Sequence, residues 1–580
     1  MSGLFAPTRL PAARRCVLAS LVVAFAALGP LPGRTASRPA VRAPAAMAVS
    51  SEDRATRAAV DALRKGGNAV DAAVAAAFVL AVTAPDAGNL GGGGFLLYRQ
   101  PDGNVFALDF RETAPRALRP EQFLDGDGRP IAGSSLRGGL AVGVPGSVAG
   151  LFEAHRRWGS LAWRTLLAPA IDLAENGAVV SPHMARVFRR SGAVLLDEPA
   201  SRAIFAANGE LPREGDRLVQ PDLASSLRRI AEQGRDGFYR GPTAEALERS
   251  VRAAGGPLDR EDLSDYATVL RRPLEGSYRG YRVVSFPPPS SGGLALLQML
   301  GMLERFDLSA SGPGSSRTVH LLAEVERRVF ADRSRWLGDP AFFPVPVEGL
   351  LDKEYLARRA GSIDPDRATP SSLLPPGEPP RPESEETLHF SVADPRGGAV
   401  ALTTTLNAPF GCGRIAEGTG ILLNNEVDDF ALAPGVPNLW GLVGAEANRI
   451  EGGKRPLSSM TPTIVEAPGG GSRPALVLGS PGGAKIITSV LQVLLNVVDH
   501  GMPLQEAVDF PRFHHQWLPD VLRHERRAFS EDVRRALIAR GHAVEESPLP
   551  LGNVNAIAID DEGRWLGAAD PRREGSARGF

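Results

Sequence analysis

Four consecutive segments decide the fold: PRPESEE (380–386), TLHFSV (387–392), ADPRGG (393–398) and AVALTTT (399–405). Residues 369–386 carry Pro375, Pro376, Pro379, Pro380 and Pro382 among Gly, Glu and Ser. Such a stretch cannot join a helix or a sheet and reads as an exposed, mobile loop. At Thr387 the pattern changes to strand-like alternation through Val392. Asp394 to Gly398 is a turn, and Ala399 to Leu406 is β-rich, so a hairpin begins at Thr387. A threonine hydroxyl is a weak nucleophile without an adjacent base. An α-amino group, with a pKa of about 8, is such a base. A cut just before Thr387 would place both groups on one residue.

Working outward, further strands are expected at Ile464, Ala475 to Leu478, Asn555 to Ile559 and Trp565-Leu566, with a helix at Ala484 to Val498. Upstream, a helix from Glu52 to Arg64 stops at Gly66-Gly67. Asn68 then caps a second helix, Ala69 to Val82, which is Ala/Val-rich on every face except Asp71 and so is expected to be buried. Pro85 and the turn Asp86 to Asn89 lead to Gly91 to Gly94, followed by strands at Phe95 to Tyr98 and Val105 to Asp109. Residues 115–350 read as mostly helical, with no internal repeat. Many strands and many helices in one chain predict a layered α/β fold.

The 580 residues are 43% hydrophobic and 23% charged, with a net charge of -1, enough for a large core. No basic stripe or charge block points to nucleic acid or an anionic membrane surface, so a small-molecule substrate is expected. Arg9, Arg14 and Arg15 precede the apolar run Cys16 to Leu28, which Gly29, Pro30 and small residues follow. That is the layout of a secretory signal peptide over residues 1–36, with an apolar run too short for a membrane span. The mature chain would be periplasmic or secreted, with no integral span. Of the two cysteines, Cys16 falls in this segment, which leaves Cys412 as a buried apolar residue.

Other chemistries fail on spacing. No G-x-S-x-G is present, since Gly479-Ser480-Pro481-Gly482 lacks the first glycine. There is no H-E-x-x-H, and adjacent His514 and His515 would point to opposite sides of a strand, so no metal is expected. The run Gly91 to Gly94 lacks the Lys-Ser/Thr pair of a P-loop. It also leaves a helix and opens a strand, the reverse of a dinucleotide fingerprint, so no cofactor is expected.

Ordered motifs across nearly the whole chain then resemble the γ-glutamyltranspeptidase family: GGNAVDAA (66–73), Gly91 to Phe95, DFRETAP (109–115), VPGS (144–147), PPPSSGG (287–293), LNNEVDDF (423–430), KRPLSSM (454–460) and GSPGG (479–483). The resemblance implies a four-layer αββα sandwich of the N-terminal-nucleophile hydrolases. It implies autoproteolysis between Glu386 and Thr387, giving a heterodimer of a large subunit (37–386) and a small one (387–580). Thr387 would carry a γ-glutamyl acyl group from compounds such as glutathione to water, an amino acid or a peptide. In that scheme Thr405 hydrogen-bonds Thr387, and the backbone N–H groups of Gly482 and Gly483 form the oxyanion hole. Arg111, Ser458 and Ser459 hold the α-carboxylate, while Asp429, Glu426 and Asn407 receive the α-ammonium. His389 would pack on the same strand face as Thr387.

Three departures stand out. Leu388 replaces the second Thr of the common Thr-Thr-His, Asn89-Leu90 the usual Gly-Ile, and Ala408-Pro409 the usual Thr-Thr. Pro434 to Gly453 resembles the lid loop of some members, with Trp440 as its gating aromatic. Two competing readings remain: an acylase for glutaryl or cephalosporin-type side chains on the same scaffold, and an unprocessed, inactive binding homologue.

Overall fold

Two seven-stranded sheets, antiparallel throughout, form the centre of the computed structural model, which describes residues 37–88, 90–206, 208–379 and 390–580. Residues 1–36, where a signal peptide is expected, Asn89, the Glu386-Thr387 bond, Leu388 and His389 lie outside the described residues. The first sheet runs, edge to edge, Ser576–Gly579, Met47–Ser50, Ser391–Ala393, Ala399–Thr405, Gly93–Arg99, Val105–Phe110 and Val269–Arg271. The second runs Val41–Ala43, Trp565–Ala568, Asn555–Ile559, Leu476–Gly479, Thr463–Glu466, Tyr281–Ser285 and Leu274–Tyr278. Residues Ala40–Phe580 make one compact unit.

The period-two geometry of a strand builds the layers. In Gly93–Arg99, Phe95 and Leu97 enter the core between the sheets, whereas Leu96 and Tyr98 enter a second core beneath helices. Ala399 and Ala401 share the first core, and Val400 and Leu402 the second. Helices Asp53–Arg64, Ala69–Thr83 and Ser147–Trp158 cover the first sheet, with Trp163–Asn176 packed behind them. Helices Gly292–Leu303 and Lys485–Val498 cover the second, with Ser316–Trp336 packed over Gly292–Leu303. This is the αββα order. Buried Arg99 bridges the sheets, its Nε donating to Glu466 at 2.9 Å.

Helix Ala69–Thr83 is buried along its whole length. It starts on a complete capping box: Asn68 accepts from the amides of Val70 and Asp71, and the Asn68 amide donates to Asp71 at 2.9 Å. Asp71 also accepts from Ser160 Oγ at 2.6 Å, so the one charge on an apolar helix is satisfied at its end.

Residues 115–350 are mostly helical, as expected, but three strands of the two large sheets were not anticipated there: Val269–Arg271 adds an edge strand to the first sheet, and Leu274–Tyr278 and Tyr281–Ser285 extend the second. The first two of these strands are partly exposed, so a one-sided apolar pattern barely develops in them. One expectation needs correction. The described part of the proline-rich segment, 369–379, is not loose. Thr369 and Ser371 donate to Glu324 and Asp520, the Gly377 amide donates to Asp332 at 2.7 Å, and the Gly377 carbonyl accepts from Trp336. Its prolines bar it from a sheet, and buried carboxylates on the packed helix satisfy its backbone instead.

Among the described residues no helix is long and apolar enough to cross a membrane. Replacing the N-cap, Asn68→Ala, is expected to cost about 1–2 kcal/mol of stability. Denaturant unfolding of the two proteins checks this, and coincident curves would remove the cap from the account.

Candidate active site

A cavity of about 130 Å³ opens where the Ala399–Thr405 strand ends beside the start of helix Lys485–Val498. Its lining includes Thr405, Asn407, Glu426, Asp429, Trp440, Ser458, Ser459, Gly482 and Gly483. Nine positions singled out in the sequence, spread from 405 to 483, therefore meet in one space. Cys412, His514 and His515 do not line it. Burial pushes the Cys412 thiol up to about 11, so it stays protonated and inert. His514 and His515 are buried and bonded to Thr488, Gln516 and Asp520.

The backbone around the cavity is held by side chains that its motifs supply. Asn424 donates to the carbonyls of Gly91 and Gly143, both at 2.8 Å, and accepts from the amides of Gly143 and Glu426. One amide thus ties the glycine run to the Glu426–Asp429 turn. A Cβ at Gly93 would lie 2.4 Å from Glu112 Oε2, and one at Gly94 2.6 Å from the Thr403 carbonyl. These glycines permit close approach of chain to chain. Ser290 and Ser291 donate to the Ser458 carbonyl at 3.0 and 2.7 Å, which explains PPPSSGG as a cradle for the Ser458-Ser459 corner.

Arg111 is buried behind this lining and does not itself face the cavity. Its guanidinium donates to Glu426 at 2.5 Å and Asp429 at 2.7 Å, and lies 3.5 Å from Glu112. Its Nε donates to the Pro456 carbonyl at 3.2 Å. Burial disfavours its charge, but Glu426, Glu112 and Asp429 together hold its pKa above the ordinary value. The same burial raises all three acids: Glu112 to about 7, Glu426 well above its usual range, and Asp429 upward, each against the pull of Arg111. One cation cannot balance three carboxylates, and buried Glu112 Oε1 and Glu426 Oε2 have no hydrogen-bond partner among the described residues. Asp428 turns away, accepting from Ser135 and from the Leu439 amide.

Sequence reading missed Arg333. On the buried face of helix Ser316–Trp336, it donates to Ser291 and Ser459 at 2.8 and 3.1 Å and so positions the Ser459 hydroxyl. Burial lowers its pKa to about 10. Nothing in the charge pattern of that helix separates Arg333 from its neighbouring arginines.

Trp440 closes the cavity. Its indole donates to Asn407 Oδ1 at 2.6 Å, and Gln516 donates to its carbonyl at 3.1 Å. The ring lies over Gly483, where an added Cβ would sit 2.6 Å from the indole. Asn407 has φ 70°, Gly482 φ 138° and Gly483 φ 61°. Glycine takes the last two without strain, and they turn the chain into the N-terminus of helix Lys485–Val498. Thr405 accepts from the Asn407 amide at 2.7 Å.

Comparison with known proteins places this arrangement. The family model described as Gamma-glutamyltranspeptidase matches residues 55–580. The chain is 47% identical to the glutathione hydrolase proenzyme of Escherichia coli (strain K12), over 92% of this chain and 91% of that one. The crystal structure of cephalosporin acylase from Bacillus halodurans superposes with a TM-score of 0.82 at 28% identity, over 95% and 98% of the two chains. That of Helicobacter pylori gamma-glutamyltranspeptidase gives 0.56 at 42% identity, over 60% of this chain and 97% of that one.

The buried acids have a pH consequence. Glu112 holds its proton more tightly folded than unfolded, so its favourable contribution is complete below the ordinary value of 4.5 and is lost as pH rises towards about 7. Glu112→Gln should therefore lose less stability than the parent between those pH values. Parallel stability profiles for the two proteins would contradict this.

Proposed function

Because the chain belongs to the γ-glutamyltranspeptidase family, we propose that this cavity cleaves γ-glutamyl amides such as glutathione and passes the glutamyl group to water, an amino acid or a peptide. The observation that carries the reading is the Arg111–Glu426–Asp429 cluster, with its unpartnered Glu426 oxygen at the cavity wall. A γ-glutamyl group brings an ammonium and a carboxylate on one carbon. Its ammonium satisfies Glu426 and Asp429, with Asn407 beside them, while its carboxylate takes the guanidinium face they release and the hydroxyls of Ser458 and Ser459. One zwitterion thus offers an ammonium to the acids and a carboxylate to the guanidinium without adding to the acid excess. A glutaryl or cephalosporin-type side chain adds an anion alone, which makes the acid excess worse, so the acylase reading is disfavoured on charge.

Thr387 is the proposed nucleophile. In support, the strand Ala399–Thr405, which pairs with Ser391–Ala393 in the expected hairpin, ends with Thr405 on the cavity wall. In maturation the Thr387 hydroxyl attacks the Glu386 carbonyl, the peptide bond becomes an ester, and water hydrolyses the ester to free the Thr387 amine. In turnover that amine takes the hydroxyl proton as Oγ attacks the γ-carbonyl, and the proton leaves with the departing amine. The amides of Gly482 and Gly483, at the N-terminus of the following helix, stabilise the oxyanion. Water or an acceptor amine then releases the glutamyl group and restores the hydroxyl. The products of maturation are a large subunit, 37–386, and a small one, 387–580, and Trp440 is the lid that must lift for exchange. The basic-then-apolar segment at residues 1–36 supports export, to the periplasm or medium.

Thr387→Ala is expected to give one uncut chain with no turnover; intact-mass analysis that finds two fragments in this variant would remove the nucleophile assignment. Arg111→Lys should still be cut but bind a γ-glutamyl anilide at least about tenfold more weakly, because a single ammonium cannot replace a fork. An unchanged KM would exclude Arg111 from the substrate contact.

A further inference from the structure

The cavity has a neighbour. A second chamber of about 120 Å³ is lined by Ser51, Glu52, Asp53, Ala84, Ser181, His183, Met184 and Glu574, and it shares Asp86 and Arg573 with the first. Those two shared residues are the ones whose charges are not spent. Of the four carboxylates lining the second chamber, Glu52 accepts from Arg54, the Ala55 amide and Thr83. Asp53 pairs with Arg57 and Arg578. Glu574 accepts from the His183 amide and pairs with Arg186 at 3.7 Å. Asp86 is only 6% exposed, and its Oδ1 is buried without a hydrogen-bond partner.

Arg573 is the only Lys or Arg among the residues lining either chamber, and its guanidinium makes no hydrogen bond or ion pair with any described residue. The two charges act on each other through space without touching: Arg573 is the largest influence opposing the burial that raises the Asp86 pKa. His183 cannot serve as a second cation, since burial, with Arg573 nearby, lowers it to about 4. A buried acid and a guanidinium, neither with a side-chain partner among the described residues, line both chambers and call for a ligand carrying both complements.

We propose that Arg573 and Asp86 form a second subsite for the amine half of the reaction, an α-amino acid or short peptide, with Arg573 receiving its carboxylate and Asp86 accepting from its N–H. The inference rests on the glutamyl reading of the first cavity and adds the selection of leaving group and acceptor. A fork-shaped guanidinium favours a carboxylate over a neutral amide or an unsubstituted anilide.

The test compares substrates that differ by one carboxylate. The donors are γ-glutamyl-4-nitroanilide and its 3-carboxy derivative; the acceptors are glycylglycine and glycylglycinamide, at equal concentrations of free amine. The parent enzyme is expected to prefer the carboxylated partner in both pairs. Arg573→Gln should reduce that preference, as a ratio of kcat/KM, by about tenfold, and Arg573→Lys should recover part of it. Asp86→Asn should raise the KM for glycylglycine severalfold. A parent enzyme without the preference, or a ratio that Arg573→Gln leaves unmoved, overturns the subsite. A parent enzyme that turns over neither donor instead overturns the glutamyl reading on which it rests.

Discussion

The arrangement around Arg111 depends on one unbalanced charge count. Three acids are buried around a single guanidinium, and two carboxylate oxygens have no partner. Such a cluster is costly to fold, because each ionised acid loses its hydration and Arg111 alone contacts all three. Burial raises the pKa values of the acids, although Arg333 lends Asp429 a second positive charge nearby. Asn424 fixes the backbone of the turn that carries Glu426, and Pro456 and Tyr266 hold Arg111 from the far side, so any exchange of partners is confined to the ends of the side chains.

The layers serve this constraint. Alternate side chains of the central strands fill the core between the sheets on one face and the helix-covered core on the other. The first sheet delivers Thr405 to the cavity from one side, and the second delivers Gly482-Gly483 from the other, just beyond its Leu476–Gly479 strand. Serines of the 287–293 corner and Arg333 set the Ser458-Ser459 turn from beneath. Residues far apart in the chain therefore meet with little freedom of their own.

Local signals carried much of this. The Asn68–Asp71 capping box, the strand at Asn555–Ile559 and the strand after the glycine run follow from spacing alone, because their causes lie within a few residues. The cavity lining was legible through ordered motifs. Other features depend on partners far along the chain. The anchoring of 369–379 rests on Glu324, Asp332 and Asp520, and no local pattern separates such a segment from a free loop. The burial of Arg111 behind Glu426 and Asp429, and the second arginine behind Ser459, belong to the same class. The edge strands Val269–Arg271 and Leu274–Tyr278 were hidden for a different reason, their partial exposure.

The order of strands has a consequence for a chain cut after Glu386. Reading across the first sheet, the strands come from after, before, after, after, before, before and before that bond; across the second, from before, then four from after, then two from before. The two pieces are interleaved like the teeth of a zip, and neither owns a complete sheet or a closed core. They cannot drift apart as folded partners, since separation would expose strand edges in both layers at once. Under the proposed cut, folding of the whole chain would therefore come first and scission second.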